Sequence, residues 1–200
     1  MTEPKKRAID DYELVYPQTR ADWRAWLAAN HDKSPGIWLV RYKVSTKQPT
    51  ITYDELVEEA LCFGWIDGLA RGLDAERHLQ LLTPRKPKSV WSKINKERIE
   101  RLLAAGVIEA PGLKVIEIAK ANGSWSAIDD VEALTVPPDL GAALEQNPAA
   151  SQFFYGLANT YKKGILQWIA SAKRPETRQK RIDEAVAQAA LGKKANYPNE

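Results

Sequence analysis

Cys62-Phe63-Gly64-Trp65-Ile66-Asp67-Gly68-Leu69-Ala70-Arg71-Gly72-Leu73-Asp74-Ala75-Glu76-Arg77-His78-Leu79-Gln80-Leu81-Leu82-Thr83 carries the chain from a helix into a β-hairpin, and that passage decides the fold. Upstream, Thr52-x-x-Glu55 is a capping box. It opens a helix whose Leu56, Val57, Ala60, Leu61 and Phe63 supply the buried stripe, and Gly64 ends it. Residues 65–73 and 76–83 then read as strands around a turn at Leu73-Asp74-Ala75-Glu76. In the second strand His78, Gln80 and Leu82 face one way, and Leu79, Leu81 and Thr83 the other.

Working outward, Gly36 to Lys43 is rich in aromatic and β-branched residues and reads as a further strand. Thr19 caps a helix that places Trp23, Trp26 and Leu27 on one face, and residues 1–18 read as a flexible lead. Downstream of Pro87 the pattern is helical. Ser92 caps a helix to about Ala105 with Gly106 as its stop, and Pro111 opens another, closed by Asn122-Gly123. Val136-Pro137-Pro138-Asp139 is the clearest break. Beyond it lie helices near 139–146 and 148–158, one capped by Asn159 and running to about Ser171, and one from Pro175 to Leu191. The class expected is α+β: a small antiparallel sheet with flanking helices in the N-terminal half and a helical C-terminal half. The regions are 1–18, 19–106, 107–191 and a disordered tail at 192–200.

The chain has 200 residues, 44% hydrophobic and 28% charged, with a net charge of +3, as soluble globular chains do. Seven tryptophans argue for a well-packed core and for partners to their indole N–H groups. One cysteine, Cys62, excludes an internal disulfide and a cysteine-rich metal site. The N-terminus lacks the apolar stretch of a secretory signal, and no run approaches the ~18 apolar residues that would span a bilayer. A cytoplasmic protein with no transmembrane segment is expected. No glycine-rich phosphate loop, dinucleotide fingerprint, Gly-x-Ser-x-Gly elbow or paired-histidine motif occurs, so no cofactor and no metal are expected.

The strongest chemical signal is positive charge from Arg85 to Arg101: Arg85, Lys86, Lys88, Lys93, Lys96, Arg98 and Arg101. These cations straddle the N-terminus of the helix begun by Ser92, where free backbone N–H groups already favour an anion. They point to an anion site over 85–98 built from Arg85, Lys86, Ser89, Ser92, Lys93 and Asn95, with Trp91 as a stacking wall and Trp65 and Asp67 nearby. The alternative is a solvated loop whose cations pair with Asp67, Asp74 or Glu76. Asp67, between Gly64 and Gly68 in apolar sequence, should meet Arg71 or Arg85 in an ion pair. A second basic stripe, Lys173, Arg174, Arg178 and Arg181, falls on one face of the last helix.

Trp23-Arg24-Ala25-Trp26-Leu27, Ala60-Leu61-Cys62-Phe63-Gly64-Trp65-Ile66-Asp67-Gly68, Ser89-Val90-Trp91-Ser92-Lys93-Ile94-Asn95, Pro137-Pro138-Asp139-Leu140 and Ala172-Lys173-Arg174-Pro175-Glu176-Thr177-Arg178 together resemble the bacterial YdeI/OmpD-associated, or bacteriocin-protection, family. The resemblance implies a role in bacteriocin or antimicrobial-peptide protection, or stress resistance, and carries no catalytic residues. Three readings follow. The first is a non-catalytic protein binding an anionic small molecule or partner through 85–98. The second is a nucleic-acid-associated protein using 85–101 and 173–181. The third is a small-molecule enzyme with a cleft near Asp67, Arg85 and Trp91. A porin partner does not fit a chain without a secretory signal.

Overall fold

In the computed structural model, which describes residues 8–197, the capping boxes form as the sequence requires. Helix α1 (Arg20–Asn30) is closed by Thr19 Oγ1 accepting from Asp22 N and Asp22 accepting from Thr19 N. Helix α2 (Tyr53–Cys62) is closed in the same way by Thr52 and Glu55. Trp23 Nε1 donates to Leu56 O at 3.0 Å, so the two helices are tied by the buried indole as well as by apolar contact.

Four strands, β1 (Glu13–Val15), β2 (Ile37–Tyr42), β3 (Trp65–Gly72) and β4 (Arg77–Pro84), form one sheet in the order β1-β2-β4-β3. β2, β3 and β4 pair antiparallel, Trp38 opposite Leu81 and Asp67 opposite Leu82. β1 pairs parallel to β2, so the sheet is mixed rather than wholly antiparallel. Three residues are too few to show a period. The segment read as a flexible lead therefore holds a 3₁₀ turn at Ala8–Asp11 and a strand, and residues 1–7 of that lead lie outside the described residues.

Both faces of the sheet are covered at β2 and β4, while residues 68–72 of β3 are exposed. Ile37, Leu39 and Leu82 join Trp23, Leu27, Leu56 and Leu61 in the main core. Trp38, Val40, Leu79 and Leu81 form a second cluster with Ile9 and Tyr12. That double burial is why Ile37-Trp38-Leu39-Val40 reads as a continuous apolar run. The β3–β4 register slips between Asp67 and Ala70, and buried Gln80 donates from Nε2 to Gly68 O at 2.8 Å, where the ladder is broken.

Helices α3 (Lys93–Ala104) and α4 (Ala110–Ala121) complete this unit, since Ile99, Leu102, Ile116 and Ala119 join its core. The chain divides into compact units at Trp125/Ser126, beyond α4. Gly112 lets α4 approach the end of α2: a Cβ there would stand 2.3 Å from Cys62 O. Gly64, at φ +75°, turns the chain from α2 into β3.

The second unit is helical: α5 (Asp129–Glu132), α6 (Pro138–Glu145), α7 (Pro148–Gly156), α8 (Asn159–Ala170) and α9 (Pro175–Ala190) surround Leu140, Leu144, Phe154, Ile165, Ile169 and Ile182. Ala158 occupies the N-cap of α8, so Asn159 begins that helix rather than capping it. Residues 192–197, expected in a disordered tail, fold back. Ala195 is buried, and the Tyr197 hydroxyl occupies the space left by Gly164. Residues 198–200 lie outside the described residues. Among the described residues no helix is long and apolar enough to cross a membrane.

Candidate functional site: the Arg85–Trp91 stack

Between β4 and α3 the chain runs through Pro84 and Pro87, which cannot donate to a ladder and so end the strand. Arg85 N still reaches Gly64 O at 2.9 Å, and Ser89 N closes a turn on Lys86 O at 2.9 Å. Pro87 O is held from outside by Asn122 Nδ2 at 2.7 Å and Ser124 Oγ at 3.2 Å. Ser92 then caps α3, its Oγ accepting from Asn95 N. The segment thereby acquires two sides: Arg85, Trp91 and Asn95 are buried, while Lys86, Lys88, Val90, Lys93 and Ile94 are exposed.

Arg85 is 7% exposed and Trp91 1%. The guanidinium carbon lies 3.7 Å from the Trp91 ring centroid, and Nη1 donates to Val90 O at 2.9 Å. Among the described residues no carboxylate comes within 4.0 Å of its nitrogens. Arg85 Nε and Trp91 Nε1 are both sealed from solvent and neither has an acceptor. Burial pulls the Arg85 pKa down to about 10, and the charge of Asp67 opposes that fall only in part. A charge this deep is ordinarily paired, and a buried N–H ordinarily bonded. Here two donors in one stacked pair are left without acceptors.

Asp67 is not in the expected ion pair. Its Oδ2 accepts from the Tyr53 hydroxyl at 2.6 Å, because the β-bulge and the start of α2 bring those side chains together. Burial and the Asp67 hydrogen bond push the Tyr53 pKa up to about 12. Arg71 lies over the Trp38 ring at 4.0 Å instead. Arg41 lies 5.9 Å from the Tyr53 centroid and donates to Ile51 O, and burial lowers its pKa. Arg98 bridges Asn95 Oδ1 at 3.0 Å and Asp54 Oδ1 at 2.5 Å. Trp65 belongs to the core, its Nε1 donating to His31 O at 3.0 Å.

Trp91 is likewise no exposed stacking wall: Arg85 covers it, and Trp125 packs at 4.9 Å. Lys86 stands exposed on the outward side and Ser89 is half-buried in its turn. Lys93, also outward, lies 4.0 Å from Glu97. Ser92 is engaged as a cap. Of the second basic face, Lys173 and Arg174 are exposed. Arg178 forks onto both carboxylate oxygens of Asp139, and Arg181 donates to Trp168 O and to Ser171 Oγ at 2.8 Å. Two of that stripe's four cations thus serve the second unit internally.

Tyr53, Arg41, Trp125 and Ser124 were not singled out in the sequence, Asn122 was read only as a helix end, and no local spacing connects them to Arg85. Neither was buried Glu59, which accepts from Arg20 Nε at 2.6 Å and Arg24 Nη1 at 2.7 Å. An open cavity of about 550 Å³ lies between α1 and α4, floored by Ala21, Ala25, Ala28, Phe63 and Pro111. The charges at its rim, Arg24 and Glu109, are paired with each other, so among the described residues of this unit the unmet buried polar groups lie elsewhere, at Arg85 and Trp91.

A mixed four-stranded sheet packed by helices, joined to a helical second unit, defines an α+β protein with a buried, unpaired arginine beside a tryptophan. The family model described as "Domain of unknown function (DUF8412)" matches residues 15–115, half of the chain, and the chain belongs to that family. A second model, "Bacteriocin-protection, YdeI or OmpD-Associated", matches residues 133–192, where Asp139 and Arg178 join the two motifs quoted above for that stretch. No curated protein and no solved structure matches the chain.

Proposed function

We propose that the chain is a non-catalytic cytoplasmic protein that binds an anion through Arg85, in the bacteriocin-protection setting that the second family's description names. One observation carries this reading: Arg85, 7% exposed, has no carboxylate partner among the described residues, and its Nε and the Trp91 Nε1 both lack acceptors there. A phosphate or carboxylate oxygen supplies both the missing charge and the missing acceptor. Because the two nitrogens are sealed by protein atoms, access requires the Lys86–Val90 turn to open, which breaks the hydrogen bonds from Asn122 and Ser124 to Pro87 O. Binding is favoured over catalysis because Asp67 already holds the Tyr53 hydroxyl, and Asp74 is paired with Arg77 at the hairpin tip.

The test is a thermal-shift panel of inorganic phosphate, sugar phosphates and nucleotides at low and physiological salt. An anion at ~100 times its dissociation constant stabilises by about 2.7 kcal/mol. A shift that survives physiological salt and vanishes in Arg85→Met is expected. A shift of equal size in wild type and Arg85→Met, or none with any anion, overturns the reading.

A further inference from the structure

The outward side of the same segment offers a different surface, one that does not depend on Arg85. Lys86, Pro87, Lys88, Val90, Lys93 and Ile94 all project from it, with Val90 44% and Ile94 60% exposed. Between 86 and 97 the only acid is Glu97. With the Lys86–Val90 turn closed, the backbone beneath is held in place. Buried Trp91 and Asn95 anchor it from within, Asn122 and Ser124 clamp Pro87 O, and Ser92 caps the helix that carries Lys93 and Ile94. Lys120, whose Nζ lies 5.2 Å from the Trp125 centroid, adds a cation beside the stack. Two aliphatic side chains thus stand among cations on one face.

We infer that this face docks reversibly on a lipid surface bearing anionic headgroups. Lysines gain from the negative surface potential, and exposed aliphatic side chains gain by entering the boundary between headgroups and acyl chains. A nucleic-acid backbone would satisfy the lysines equally well, but it offers nothing to Val90 and Ile94. The aromatic rings offer little to bases either: Trp91 is buried, and half-buried Trp125 already meets Trp91, Lys96 and Lys120. Charge and exposed apolar area together therefore favour the lipid surface.

The test is co-sedimentation of the full chain with phosphatidylcholine vesicles, with and without phosphatidylglycerol, at low and physiological salt. Sedimentation is expected only with phosphatidylglycerol, and more weakly at physiological salt. Lys86→Gln and Lys88→Gln each lower the partition coefficient about fivefold, the equivalent of ~1 kcal/mol per cation near the surface. Ile94→Ser lowers it at least as much, and because Ile94 is already exposed its melting curve overlays wild type. Arg85→Met leaves the partition unchanged, so the two readings fail independently. Absence of binding to phosphatidylglycerol vesicles at low salt overturns the inference. So does binding that ignores Ile94→Ser and is competed away by double-stranded DNA, which would make the face a general polyanion surface.

Discussion

Exchange of Arg85 for methionine keeps an unbranched stem along Trp91 and removes only the guanidinium, so it separates packing from charge. A guanidinium pKa drawn down to about 10 corresponds to a burial cost on the order of 3 kcal/mol. Against this, a desolvated cation at 3.7 Å from the Trp91 centroid contributes about 2 kcal/mol. The charged hydrogen bond to Val90 O adds about 1 kcal/mol beyond what water would offer. The opposing contributions nearly cancel, so Arg85→Met should unfold within about 1 kcal/mol of wild type. Removing one member of a buried ion pair would instead cost ~3–5 kcal/mol. Because the chain has two compact units, a whole-chain melt mixes their transitions. Cys62 is buried in the first unit and is the chain's only cysteine, so pulsed thiol labelling along a denaturant series reads that unit alone. A loss of 3 kcal/mol or more would make Arg85 a structural clamp and refute the argument that its charge is unmet.

Cys62 itself should resist thiol reagents at pH 8 in the native protein, because burial first and the nearby Glu59 charge second push its pKa up to about 11. The folded thiol keeps its proton where the unfolded one has lost it. The stability this contributes is therefore present below about pH 9 and lost toward pH 11, by about 2–3 kcal/mol, and Cys62→Ala flattens that slope in denaturant midpoints. Gly112→Ala forces a Cβ toward Cys62 O, which is backbone and cannot swivel away, so a loss of about 3 kcal/mol in the same labelling assay is expected. Glu59→Gln leaves Arg20 and Arg24 without their shared carboxylate. Those arginines are partly exposed and can rehydrate, so the cost should sit near the low end, about 3 kcal/mol, measured by chemical denaturation.

What was legible in the sequence is what local chemistry determines. Thr52 and Glu55 close their box, Gly64 takes positive φ, and the hairpin follows within a residue of its expected bounds. The segment 85–98 stands out by its charge, but its orientation was not readable. Arg85 and Trp91 turn inward because Trp125, Asn122 and Ser124, more than thirty residues away, cover the ring and clamp Pro87. The partner of Asp67 was missed for the same reason: Tyr53 reaches it from another element, across a bulge that no periodicity announces. β1 is too short to carry a pattern, and Arg178 finds Asp139 across 39 residues. Long-range pairing decided each of these outcomes.

The most direct test of Arg85 as an anion receptor is a ¹H–¹⁵N correlation titration with inorganic phosphate, following side-chain N–H groups. Arg85 Nε–H and Trp91 Nε1–H, the latter assigned by its loss in Trp91→Phe, should move together, saturably and downfield, as they gain an acceptor. The indoles of Trp23, Trp38 and Trp65, already bonded to backbone carbonyls, should stay still. Phosphate that leaves both resonances in place, or shifts all indoles alike, would contradict the assignment of Arg85 as the receptor.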